Sequence, residues 1–282
     1  MPISTRLLLF SSLLAAPGVI PLYLLYRTTT QPGSAIRGAV GIPLALEESK
    51  LAKLLNPRGN PWLGDTWTYS IARSDISGLS QAASEALSAE DEERVVLARF
   101  ARGFFTLKAF AFEKWAVSTF PQVVKEYVGL EIVDPNNTLL DPSSGKERLS
   151  VLPSQWPIDN YAPNGAAFLD AFQIVDTGRD RIYADSQLPR SYTAVAFGSN
   201  RPAARFVGVH FFWVNRRQPP ADDKKSDDVI FDLNIWSLNC DPSDHGQEGS
   251  RPRWLWKWVL PQLHYLYERA LMADGIDAVR SG

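Results

Sequence analysis

The 282-residue chain is poor in the side chains that cross-link or bind metals: one cysteine, Cys240, and three histidines. A lone cysteine closes no internal disulfide, so nothing marks the chain as needing an oxidising compartment. So few thiols and imidazoles leave little for a structural zinc site, and no metal is expected. Neither sign of charge dominates, with 29 Lys and Arg against 31 Asp and Glu, a net charge of −2. Without a long-range field, nucleic acid is not an expected partner. The patterns GxGxxG, GxxxxGK[ST], HExxH, CxxC and GxSxG are all missing. That removes the motif-based case for a dinucleotide enzyme, a P-loop NTPase, a zincin, a zinc ribbon or an α/β-hydrolase, and no cofactor is expected.

What the chain does have is apolar and aromatic surface: 45% hydrophobic and 11% aromatic residues, nine of them Trp. Residues 7–26 (LLLFSSLLAAPGVIPLYLLY) run for twenty positions without a charge, between Arg6 and Arg27. That length lets a helix cross the hydrocarbon layer, so residues 1–27 read as a single-pass membrane anchor. A signal sequence cleaved near Ala16 is the alternative and would make the protein secreted. Asn136, in the triplet Asn136, Asn137, Thr138, is a glycosylation acceptor if the domain is lumenal.

Residues 28–43, rich in Thr, Gly, Gln and Pro, read as a linker without regular structure. A helical forepart, 44–164, follows. Helical spacing covers residues 44–55, and 60–69 (NPWLGDTWTY) places Trp62, Trp67 and Tyr69 on turn-forming residues. A short helix is read over 79–87. Ser88 is an N-cap with acidic residues in the turn after it, opening a long helix that Phe120 and Pro121 break. From residue 165 the pattern turns to short strands: 168–175, 181–185 and 191–197. Next comes ARFVGVHFFWV, 204–214, apolar on both alternating faces, and then 229–237, which alternates cleanly. Short connections make these an antiparallel meander. A closing helix over residues 254–272 carries Leu263, Leu266, Tyr267, Ala270 and Leu271 as its stripe, and Gly275 ends it. The fold class is therefore α+β: a curved antiparallel sheet on a long C-terminal helix, with residues 44–282 forming one unit.

The two-sided strand needs a cover on each face. The closing helix supplies one, and earlier helices, an apolar ligand or a membrane could supply the other. His210 sits in its middle, where an imidazole suits proton transfer near neutrality or simply forms a buried hydrogen bond. With Asp232 it makes the candidate catalytic pair, because Asp232 and Asn234 could share its face. Phe206, Phe212, Asn234, Trp236 and Tyr192 are the candidate substrate-binding residues. Cys240 with His245 and Asp244 lies in a polar loop and gives little case for a nucleophilic thiol. His264 reads as a helix-surface residue.

The order from residue 166 to 282, a strand meander closed by one long helix, is similar to the helix-grip arrangement of the START and polyketide-cyclase-like superfamily. That resemblance implies a sheet wrapped around the helix with an apolar cavity between them. RFARGFFTLKAFAFEKW (99–115), VGVHFFWV and LNIWSLNCDP (233–242) also resemble a group of fungal proteins of unassigned activity, some accompanying secondary-metabolite genes. The resemblance implies no catalytic residue. The expected function is a membrane-tethered, small-molecule-binding protein of secondary metabolism, in the endoplasmic reticulum or another endomembrane. It would act as a cofactor-independent cyclase or isomerase on an apolar polyketide or terpenoid intermediate. The other reading is a non-catalytic lipid-binding or scaffold protein that holds partner enzymes of the pathway.

Overall fold

The computed structural model describes residues 19–79, 87–119, 150–169, 171–183, 187–202, 204, 206–219, 228–243 and 260–282. A helix, Val19–Thr29 (α1), leads into a 3-10 turn at Gly33–Ala35 and an edge strand, Arg37–Val40 (β1). The stretch expected to lack regular structure is therefore partly ordered. Arg269 donates to the carbonyls of Gly33 and Ser34, a long-range contact that local composition does not encode. Two short helices, Leu44–Glu47 (α2) and Lys50–Leu55 (α3), replace the single helix read there, with the Ser49 side chain capping the second.

Residues 63–72 form a ten-residue strand, Leu63–Ala72 (β2), where turn chemistry was expected. Alternation won over the local Gly and Asp: Asp65, Trp67, Tyr69 and Ile71 are buried while their neighbours are more open. Ser88 caps the helix Ala89–Thr106 (α4) through a reciprocal box with Asp91, as its sequence predicts. The helix breaks at Leu107, earlier than expected, and Lys108–Thr119 (α5) follows. The break has a distant cause: the Asp274 carboxylate accepts the Ala109 amide at 2.7 Å, capping the new helix from outside it.

The remaining strands are Ala167–Phe168 (β3), Phe172–Thr177 (β4), Tyr192–Gly198 (β5), Val207–Arg217 (β6) and Ile230–Cys240 (β7), and Leu260–Ser281 (α6) closes the chain. All seven strands join one sheet, in the order β1-β2-β7-β6-β5-β4-β3, each neighbour antiparallel. The strand read over 168–175 is split at Leu169, whose φ is 56°. Residues 181–183 form no strand. Instead the Asp176 carboxylate accepts the Ile182 and Tyr183 amides at 2.8 Å and folds that loop around itself. Gly275 does not end α6 but lies inside it. There it lets the Phe100 ring of α4 approach the helix axis, a packing role that outweighs its poor helix propensity.

The two-sided strand, β6, is sandwiched. Phe212 and Val214 of β6 join Phe231, Leu233 and Ile235 of β7 against α4 and α6. Val207, Val209 and Phe211 face Leu46, Leu51 and Leu55 of α2 and α3 on the other side. Among the covers weighed for that second face, the earlier helices are the ones present. No helix among the described residues is long and apolar enough to cross a membrane. Residues 7–18 of the uncharged run, 80–86 of the short helix read over 79–87, Asn136, Asp244, His245 and the first turns of the closing helix, 254–259, all lie outside the described residues.

Candidate functional site

The pairing register of β6 decides what His210 meets. It lies opposite Val195 of β5 and Ser237 of β7, on the face turned toward α4 and α6. Its Nδ1 is 2.6 Å from the Ser237 hydroxyl and 3.6 Å from the Glu268 carboxyl of α6. The rings of Phe104, Phe105, Phe197 and Phe212 pack around it, with centroids 4.7 to 6.3 Å away. The flank of Phe212 and His210, read as the wall of a ligand cavity, is thus packed with aromatic rings.

Glu268 continues the cluster outward. It is buried, and its Oε2 has no hydrogen-bond partner among the described residues. One helical turn earlier, His264 places Nε2 3.8 Å from Glu268 and 3.8 Å from Asp65 of β2. Asp65 is itself buried and accepts from the Trp67 indole N–H at 3.0 Å. Five polar side chains from β2, β6, β7 and α6 therefore form a track. It runs from enclosed His210 through Ser237, Glu268 and Asp65 to His264, whose side chain is 40% exposed.

Burial sets the protonation of this track. It pulls the His210 pKa down to about 3, with a further contribution from His264, so the imidazole is neutral. Burial also holds Glu268 well above the usual carboxyl range, reinforced by Asp65 and opposed by the Ser237 hydrogen bond. Asp65 is pushed up to about 6 by burial, against the lowering hydrogen bond from Trp67. His264 is lowered by burial. With the imidazole neutral and the carboxyl shifted toward its acid form, the close approach of His210 and Glu268 is not an ion pair.

That arrangement excludes some chemistry. In a nucleophilic triad the hydroxyl and the acid use opposite imidazole nitrogens. Here Ser237 and Glu268 both approach Nδ1, so Ser237 is not an activated nucleophile. Among the described residues no group of three His, Cys, Asp or Glu side chains is arranged to hold a metal ion. Cys240 is buried, and burial together with Asp241 pushes its thiol up to about 12, the reverse of a reactive thiolate. What the track brings together is a carboxyl pushed up to about 6 and a partly exposed imidazole 3.8 Å away, groups suited to taking up and releasing a proton near neutrality.

The other sequence-derived candidates divide by strand parity. Phe212 faces α4 with His210, and Phe206 packs on the Phe197 ring at 5.5 Å. Asp232, Asn234, Trp236 and Tyr192 lie on the opposite face, so Asp232 is no partner of His210. The pairing of Ser237 with His210 puts even-numbered β7 residues on the far side of the sheet. Asp232 accepts from Ser70 at 2.6 Å and Arg217 at 2.7 Å, and Asn234 accepts from Thr68 at 2.8 Å. Trp236 and Tyr192 stack on either side of Phe211, and the Tyr192 hydroxyl donates to Asp176. These contacts all lie within the sheet. Sequence alone does not group Asp65 with Ser237, Glu268 and His264, because it places them 172 to 203 positions apart from Asp65 to its partners. The i, i+4 pair His264 and Glu268 is the one local signal.

A small cleft lies between α4 and β5, lined by Ala98, Ala101, Trp156, Tyr161 and Thr193. Its free space, open mouth included, is ≈ 210 Å³, less than the roughly 300 Å³ at which ligand pockets begin. No protein family, no curated protein and no solved structure matches the chain.

Proposed function

We propose that the chain is a single-pass, endomembrane-tethered protein of secondary metabolism that transfers protons to and from an apolar polyketide or terpenoid intermediate without a cofactor. The observation that carries this reading is the convergence of Asp65, His264 and Glu268 at the half-exposed end of a buried polar track. A carboxyl held near neutrality beside an exposed imidazole suits general acid and base catalysis of a cyclisation or isomerisation. In this reading Asp65 and His264 exchange the proton with the substrate, Glu268 shares it, and Ser237 and His210 are positioning residues behind them. The resemblance of residues 166–282 to helix-grip domains, and of 99–115, VGVHFFWV and 233–242 to fungal proteins of which some accompany secondary-metabolite genes, supports the substrate class. The uncharged run at residues 7–26 supports the tether.

Cyclisation and isomerisation conserve mass, which gives a test that works before the substrate is identified. The full-length protein and its Glu268→Gln variant, purified in mild detergent from a fungal host, are compared by mass spectrometry of retained small molecules. The expected result is two isomers of equal mass and different chromatographic retention, with the unconverted form on the variant. One observation favours a second reading, a non-catalytic binding or scaffold protein: both faces of β6 are filled by the chain's own side chains. Identical retained molecules on both proteins would support binding alone, and none on either would support the scaffold.

A further inference from the structure

Helix α1 is apolar on both faces: Tyr23 and Leu24 pack on the core, yet the side turned away from the domain is apolar as well. A helix on a folded domain turns its apolar stripe inward and its charge outward. In α1 the residues at i, i+3 and i+4, Leu22, Leu25 and Tyr26, point away from the domain and are 65%, 54% and 61% exposed. Its one charge, Arg27, points inward and is buried. Arg27 donates from Nε to Asp274 at 3.0 Å and from Nη2 to Asp277 at 2.7 Å, and the Tyr23 hydroxyl donates to Asp274 at 2.9 Å.

An outward apolar stripe of this kind is stable where the outer medium is hydrocarbon, because those side chains are then buried too. The chain names that medium. Immediately before α1, residues 7–18 continue the same uncharged run, and Arg6 is the first charge reached. We infer that the outward stripe of α1 lies in the hydrocarbon boundary of a phospholipid bilayer. The last turns of the anchor are thus clamped along α6, and the domain is held directly on the membrane rather than hung from a flexible tether. The inference rests on the anchor reading and adds the contact surface and its geometry.

The test uses the full-length protein in phosphatidylcholine liposomes, with a Cys240→Ala background and an environment-sensitive fluorophore at Leu25→Cys. Lys53→Cys, on α3 across the sheet, is the reference position. The expected result is flotation with the liposomes, with the probe at 25 blue-shifted and quenched by shallow spin-labelled lipid while the probe at 53 is not. Flotation with both probes reporting water overturns the clamped geometry and leaves the anchor standing. A protein that does not float overturns both.

Discussion

Glu268 carries the sharpest consequence at the scale of single residues, because burial shifts it toward its acid form. A carboxyl whose pKa rises on folding stabilises the fold below its ordinary range and withdraws that stabilisation as pH rises through the folded value. Asp65, at about 6, and Glu113, pushed up to about 7 by burial, act with the same sign. His210 acts oppositely: with a folded pKa of about 3, it contributes above its ordinary value and loses that contribution as pH falls toward 3. Glu268→Gln keeps the shape of the acid and cannot ionise. Its thermal midpoint should exceed that of the native protein at pH 8 and match it at about pH 4, below the ordinary carboxyl range, as followed by circular dichroism. A midpoint below the native one at both pH values would mean that the fold holds the carboxylate. His210 stands out in the sequence because it interrupts an apolar run. Its partners do not, because Ser237 and Glu268 become its neighbours only through strand register and helix packing.

Between elements, α4 and α6 cross closely on a pair of glycines. A methyl group on Gly103 would overlap Ala278 and meet the Gly275 Cα at 3.1 Å, while one on Gly275 would meet the Phe100 ring at 2.7 Å. Gly103→Ala and Gly275→Ala should each destabilise the protein by about 1–3 kcal/mol despite better helix propensity. Urea unfolding reads this directly, and a neutral or stabilising result at either position would show that the helices slide apart without cost. Periodicity makes most elements legible: the cap at Ser88, the stripe of α4, the two faces of β6 and the alternation of β7 are local patterns. The break at Leu107 and the ordering of residues 33–40 are not legible, because Asp274 and Arg269 impose them from the other end of the chain. Leu63–Ala72 escapes for a different reason, since Gly64 and Asp65 mask an alternation that Trp67, Tyr69 and Ile71 still carry.

Across the whole molecule, the first and last helices are joined through buried charge. Removing residues 1–18 keeps Arg27 on Asp274, whereas removing residues 1–27 strips Asp274 of the cation and of the Tyr23 hydroxyl. A buried carboxylate deprived of its partner costs about 3–5 kcal/mol. The longer truncation should therefore lose about that much stability relative to the shorter one, measured by denaturant unfolding in the same detergent. Equal stabilities would mean that water replaces the lost donors. Asp274 also takes the Ala109 amide, so one carboxylate ties α1 and the start of α5 to α6. A pull on the amino-terminal segment is then shared at once among three rods.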